Sequence, residues 1–474
     1  MTAVPARLER FFVPDSPTQQ LAARLRGAGY RAYLVGGSVR DALLDRDIVD
    51  VDIATDARPD VIEDVARPWA DAVWLQGQRF GTVGCERDGE RFEITTFRAD
   101  VYRPESRKPE VMFSDDVETD LSRRDFTVNA MAIALDDMTG GGPQLVDPFD
   151  GRIDLAAHRL RTPLAPEVSF GDDPLRMLRA ARFVATLGFE PDAALVDAIE
   201  AMHERMKIVS AERVRDELSK LLVADDPSSG LWLCARTGLS DEFVPELNAM
   251  RLEQDPIHRH KDVLAHTIAV VAKTSPRLRI RLAALLHDVG KPRTRGYGPQ
   301  GVTFHHHEVV GARMARERML ALRYPNDLVD DVTRLVELHL RFHTYRMGWT
   351  DSAVRRYVRD AGPLLDDLNE LTRCDCTTRD ARKAAALGRR MDELVDRIAE
   401  LREGEELAKI RPALDGNGVM QLLGVPPGPI VGEALDFLLE LRLEEGLMSE
   451  DDARARLVAW ARARGLEPRD PRPA

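Results

Sequence analysis

The change of hydrophobic rhythm near residue 150 constrains this chain more than any other feature. From about residue 30 to 150, short apolar and β-branched runs alternate with turn signals: RAYLV, VDIAT, TVGCE and RFEITTF, the last two separated by Asp88-Gly89. Short runs bounded by Gly, Asp and Pro read as paired strands, so this part is strand-rich α/β sequence. Beyond Gly151 the apolar residues recur at three-to-four spacing, as in PLRMLRAARFVATL and AERVRDELSKLL, almost to the end. That spacing is helical. A small sheet followed by helices alone makes an α+β, multidomain chain. The expected division is a head over 1–150, an all-α neck over 151–250, a histidine-rich helical domain over 251–385 and a helical tail over 386–474, with GGGP at 140–143 a loop.

The 474 residues suffice for about three folding units of roughly 100 to 200 residues each. With 67 basic against 80 acidic residues the net charge is −13, which disfavours binding nucleic acid through bulk charge but leaves local basic patches free to do so. No apolar run reaches the roughly 18 to 20 residues of a membrane span, and the N-terminus lacks the apolar core of a secretory signal. A cytoplasmic protein with no membrane partner is expected. Cys85, Cys234, Cys374 and Cys376 form no CxxC pair and read as reduced thiols.

At Leu34–Asp41 a strand runs into Gly36-Gly37, with Ser38 placed to cap the helix that follows. Two glycines let a backbone approach a phosphate closely, and a helix N-terminus offers N–H groups to an anion; a plain turn has the same sequence. On the next strand, a period of two puts Asp50 and Asp52 on one face, where cations such as paired Mg²⁺ would offset their repulsion. An exposed edge strand with solvated acids fits as well. Downstream come Gly81-Thr82, a third strand with Glu93, and RRDFTVNAMA at 123–132.

GGSVRD, the Asp50–Asp52 pair and RRDFTVNAMA together resemble the head of the class II tRNA nucleotidyltransferase and bacterial poly(A) polymerase family, in the DNA polymerase beta superfamily. The resemblance implies a small mixed-sheet head in which Asp50 and Asp52 hold catalytic Mg²⁺. It also implies that Gly36, Gly37 and Arg40 hold the triphosphate while Arg123, Asp125 and Asn129 contact the nucleotide. Glu93 stands as a third carboxylate or a surface acid. The polar stretch Arg98–Asp120, broken by Pro104 and Pro109, is expected to lack regular structure, like the family's flexible loop.

In the neck, SFGDDPLRMLRAARF opens a helix at Asp172 or Asp173 with Pro174 early in it. Asp173 and Arg176 are three apart, and Arg179 and Phe183 four apart; a solvated face would show the same spacing. The family carries an EDxxR element here whose acid and arginine pair with the incoming base in place of a template. DDPLR matches at Asp173 and Arg176 and departs at Asp172, one methylene shorter than Glu. The implied selection is for CTP and ATP, with Arg179 and Arg182 as further nucleotide contacts. RVRDELSKLL at 213–222 resembles the family too, and is given no catalytic role.

Histidines concentrate between 258 and 343: His258, His260, His266, His287, His305 to His307, His339 and His343. RLAALLHDVGKP reads as a helix ending at His287-Asp288. The order His266, His287-Asp288, Asp375 resembles the HD superfamily of metal-dependent phosphohydrolases. The resemblance implies those four as ligands of a divalent transition metal (Mn, Ni, Fe or Zn), with His307 and His339 where some members carry ligands for a second.

The reading is therefore a template-independent nucleotidyltransferase that builds the tRNA 3′ end from CTP and ATP, fused to an HD domain. Poly(A) polymerase, a partial CC- or A-adding enzyme, and an HD phosphohydrolase with a nucleotide-binding head remain alternatives. The oligomeric state is not legible.

Overall fold

A computed structural model of the chain describes residues 6–48, 50–103, 106–135, 144–252, 262–298, 301–344, 349–376, 381–404 and 410–468. GGGP at 140–143, His258 and His260 lie outside the described residues. The chain divides into two compact units, Met1–Asn248 and Ala249–Ala474.

The first unit opens on a mixed sheet. Its strands are β1 (Ala32–Val35), β2 (Asp50–Thr55), β3 (Ala72–Trp74), β4 (Thr82–Arg87) and β5 (Glu90–Thr96). After β6 (Arg98–Arg103) and β7 (Ser106–Phe113), which pair apart from the sheet, it is completed by β8 (Ala132–Ala134) and β9 (Leu145–Val146). The spatial order is β3-β4-β5-β2-β1-β8-β9, with β2 and β5 parallel and the other neighbours antiparallel. β1 is buried along its whole length, which explains its unbroken apolar run AYLV. Tyr33 and Val35 point to a cluster with Ala54, Phe97, Leu121 and Ala132.

The stretch expected to lack regular structure does not. β6 and β7 form an antiparallel hairpin, and Val117–Ser122 is a short helix capped by Asp116. Pro109 misled the reading: the hairpin's register shifts between Val101 and Arg103, opposite the segment that holds it, and a two-stranded ribbon tolerates a missing donor at such an irregularity.

After the sheet the first unit is helical. The helix Leu175–Leu187 buries Leu175, Met177, Leu178, Ala181 and Val184 and ends at Gly188 in the left-handed region. Against it pack the helices Ala211–Leu222 and Ser228–Arg236. In the second unit the helix Leu278–Leu286 is buried from Ile280 to Leu286, apolar on every side apart from Arg281, as a central helix must be. Val263–Lys273, Asn326–Leu338 and Leu365–Asp375 pack around it. The last helices, Gly416–Leu423, Pro429–Glu445 and Glu450–Ala463, have a small core of their own around Leu422, Leu438, Leu457 and Trp460. Among the described residues no helix is long and apolar enough to cross a membrane.

Candidate functional site

The register of β2 on β5 sets Asp52 opposite Glu93 and Asp50 opposite Arg91. Residues two apart share a face, so Asp50, Asp52 and Glu93 form a row of carboxylates on the sheet. Ser38 does not cap its helix; Gly36 occupies the cap position without a side-chain bond. Instead Ser38 Oγ donates to the Asp50 carbonyl (3.1 Å) and accepts from the Asp52 N–H (2.9 Å), pinning the helix start to the acidic strand. Gly36 sits at φ +67°, a left-handed conformation that favours glycine, and a Cβ there would press on the tip of Arg124 (Nη1 at 2.8 Å) and lie 3.3 Å from Asp52 Oδ2. Here the glycine serves the packing of Asp52 and Arg124.

Burial pushes the Asp52 carboxyl up to about 6; Arg124 opposes this, while Glu93 and Asp50 reinforce it. One arginine therefore does not neutralise the row. An all-oxygen donor set short of positive charge, with Asp52 half-buried and Asp50 and Glu93 exposed, fits a hard divalent cation.

Asp52 and Glu93 open onto a cavity of about 430 Å³ whose wall also includes Thr82, Arg98, Arg123 and Arg124. The lining also includes Asp173, between two helices, and Arg176, Arg179 and Arg213 on helices. Sheet acids and neck residues at least 80 positions apart thus share one chamber, with an arginine excess suited to a polyphosphate.

Behind this wall runs a chain of charge-assisted bonds. Arg40 donates to Asn129 Oδ1 (2.6 Å), Asn129 to Asp125 (2.9 Å), and Arg179 to Asp125 (2.5 Å) and Glu217 (3.3 Å), while Arg182 reaches Glu217 at 2.6 Å. Burial alone would raise the Asp125 carboxyl, but Arg179 and the Asn129 amide hold it well below the usual carboxylate range. Arg40, Arg179 and Arg182 also surround the Phe183 ring at 5.2, 5.8 and 4.1 Å. Asp125 and Arg179 line the cavity; Arg40, Asn129 and Arg182 connect to it through them.

Asp173 and Arg176, the base-reading pair by resemblance, both line the cavity, and although the Arg176 N–H donates to the Asp173 carbonyl (3.0 Å), their side chains bond elsewhere. Asp173 accepts from Arg213 at 2.7 Å. Arg176 donates to Ser169 Oγ (2.8 Å) and to the Arg123 carbonyl, tying the neck helix to the RRDF segment. Arg124 is the second of the adjacent arginines of RRDF. The sequence does not single out Arg213 and Glu217, although, four apart in RVRDE, they share one helix face.

In the second unit, His266, His287 and Asp375 form one group of convergent ligand atoms, and Asp288, His307 and His339 a second. Four of the six stand at the ends of packed helices or next to them: His287 and His339 directly follow Leu286 and Leu338, Asp375 ends its helix, and His307 starts one. His287, His307 and His339 each direct Nδ1 at a backbone carbonyl, of Ala284 (2.8 Å), Phe304 (2.8 Å) and Val336 (2.6 Å). That fixes the tautomer and turns each Nε2 inward. His266 and His287 Nε2 are 3.3 Å apart, as are those of His307 and His339.

Asp288 joins the groups, with Oδ2 3.2 Å from His287 and Oδ1 3.4 Å from His307, while Lys291 reaches Oδ2 at 2.6 Å. Burial disfavours charge on His287, yet Asp288 and Asp375 outweigh it and raise its affinity for a proton. Convergent imidazoles and carboxylates held at this spacing fit a divalent metal. Gly290 permits the close turn, since a Cβ there would lie 2.2 Å from the His307 carbonyl.

Comparison with known proteins matches residues 32–161 to the poly A polymerase head domain, 188–251 to the probable RNA and SrmB-binding site of polymerase A, and 263–399 to the HD domain. The A-adding tRNA nucleotidyltransferase of Deinococcus radiodurans is 35% identical over 446 residues, 91% of this chain and 95% of that protein. The CC-adding tRNA nucleotidyltransferase of Thermus thermophilus is 33% identical over 446 residues, 90% and 93% of the two chains. A CCA-adding enzyme of Streptococcus pyogenes is 30% identical over 442 residues, 91% and 93%. Among solved structures, the Bacillus stearothermophilus CCA-adding enzyme in complex with CTP superposes with a TM-score of 0.69 at 26% identity, over 96% of this chain and 99% of that one. A carboxylate row beneath an arginine-lined chamber, on a head, neck and HD domain shared with these relatives along nearly their whole length, shows that the chain is an enzyme of the tRNA nucleotidyltransferase family.

Proposed function

We propose that this enzyme extends the 3′ end of tRNA to CCA, using CTP and ATP without a nucleic-acid template, in the cavity of its first unit. The observation that carries the reading is that one chamber holds both the Asp52–Glu93 carboxylates and the Asp173–Arg176–Arg213 set. Mg²⁺ bound by Asp50 and Asp52, with Glu93 beside them, would supply activation of the RNA 3′-hydroxyl and charge stabilisation of the departing pyrophosphate. Gly36 and Gly37 let the acidic strand approach closely. Arg123, Arg124 and Arg179 hold the triphosphate and keep its charge facing the acids. Arg40, Asp125, Asn129 and Arg182 orient Arg179 and the helix that bears it. Asp173 and Arg176 read the Watson–Crick edge of the base, on which cytosine and adenine both present an amino donor beside a ring acceptor. Arg213 holds the Asp173 carboxylate in place.

We further propose that His266, His287, Asp288, His307, His339 and Asp375 bind divalent transition metal, of the Mn, Ni, Fe or Zn class, for phosphoester hydrolysis. A cytoplasmic location accords with a tRNA substrate and unpaired cysteines. The test supplies purified enzyme with tRNAs ending at the discriminator base, at C and at CC, each with one labelled nucleotide. CTP should extend the first two and ATP only the third. The names of the Deinococcus and Thermus relatives favour a second reading, a partial enzyme. In that case ATP alone, or CTP alone, would be incorporated.

A further inference from the structure

Between Val289 and His307 the sequence GKPRTRGYGPQGVTFHHH contains Lys291, Arg293, Arg295 and three histidines but no acid, in a chain whose net charge is −13. This stretch forms the hairpin Arg295–Gly298 and Gly301–Phe304, with Arg295 paired to Phe304 and Tyr297 to Val302. Both of its ends are fastened to the metal cluster: Lys291 donates to Asp288 Oδ2 at 2.6 Å, and the Phe304 carbonyl orients His307 through Nδ1 at 2.8 Å. Tyr297 is 78% exposed. Its neighbours Gly296 and Gly298 have no side chains to shield its ring, and the Arg295 guanidinium lies 5.4 Å from the ring centre. Single exposed aromatics are ordinary. One that is paired with arginine, on an acid-free basic strand rooted in a metal centre, has the composition of surfaces that stack an unpaired base and hold its phosphate.

We propose that this hairpin is a nucleotide-binding strap for the HD centre: Tyr297 stacks on an unpaired base while Arg293 and Arg295 hold the phosphate backbone. The ligand class is then a nucleotide phosphoester, supplied by the single-stranded end of an RNA or by a free mononucleotide. The idea rests on the phosphohydrolase reading only in directing the ligand's phosphate toward the metals.

The full-length enzyme is irradiated with either of two probes, a trinucleotide containing 4-thiouridine and ending in a 3′-phosphate, or 4-thiouridine 3′-monophosphate, and digested with trypsin. The crosslink should fall on the peptide Gly296–Arg313, disappear in Tyr297→Ala and persist in Tyr297→Phe. A trinucleotide-only crosslink identifies RNA ends as the source, and crosslinking of both probes includes mononucleotides. In parallel, metal-loaded Tyr297→Ala should show a KM ratio of nucleoside 3′-phosphate to glycerol phosphate raised about 5- to 150-fold, the usual loss when one stacking aromatic is removed. A crosslink mapping elsewhere, or one indifferent to Tyr297→Ala, overturns the strap. If wild-type enzyme hydrolyses neither substrate while the crosslink holds, the strap stands and the phosphohydrolase reading falls.

Discussion

The two units assemble charged sites by opposite means. In the first, carboxylates lie side by side on a sheet and nearby arginines face into the same open chamber, so Asp52 is left with a carboxyl raised to about 6. In the second, acids alternate with imidazoles, and Asp288 and Asp375 are held well below the usual carboxylate range even though burial alone would raise them. The first arrangement suits a hard cation that arrives with a nucleotide and leaves with pyrophosphate, because oxygen ligands alone hold it and the chamber is open. The second suits a resident metal, because backbone carbonyls fix three of its histidines in advance.

This contrast can be broken at either site. Asp52→Ala should have the largest effect. Losing a ligand for charge stabilisation worth several kcal/mol should lower nucleotide incorporation about 10³-fold or more while tRNA binding, measured by filter retention, survives. Full incorporation would remove the carboxylate row from the mechanism. Asp288→Ala should act in the opposite sense: because this carboxylate faces both histidine groups, bound transition metal measured by mass spectrometry should fall with an affinity loss of about 10- to 100-fold or greater. Incorporation should stay within about twofold, since separate sites act nearly additively. A folded variant that loses incorporation would show that the two centres are coupled. The smallest effect is expected behind the cavity wall. Glu217→Gln removes the charge that Arg179 and Arg182 share, at a cost of about 1 to 3 kcal/mol, and should lower the melting temperature by several degrees.

The sequence displayed the two sites unequally, for physical reasons. Asp50 and Asp52 were legible because a strand's period of two is a local rule, and His266, His287, Asp288 and Asp375 because their order in the chain is distinctive. The hairpin β6–β7 was hidden by its prolines and charges, which a two-stranded ribbon tolerates and a sheet interior does not. Asp173 offers the clearest lesson. Helical spacing suggested Arg176 as its neighbour, but the two sit where one helix ends and another begins, and Arg213, 40 residues on, takes the carboxylate instead. Pairings across elements depend on packing, which no local periodicity encodes. Likewise the division of six candidate ligand side chains into two groups joined by Asp288 follows from where three helices end and one begins, not from ligand order.

The central claim is that protein side chains take the place of a template, and base choice tests it most directly. The measurement is the incorporation ratio of CTP and ATP to UTP and GTP on a tRNA primer for Asp173→Ala and Arg176→Ala. Removing one partner of a base-pairing hydrogen bond costs about 1 to 3 kcal/mol, so the ratio should fall roughly 5- to 150-fold while the chemistry persists. A ratio equal to wild type in both variants would mean that the base is read elsewhere and that Asp173 and Arg176 serve only to hold neck and head together.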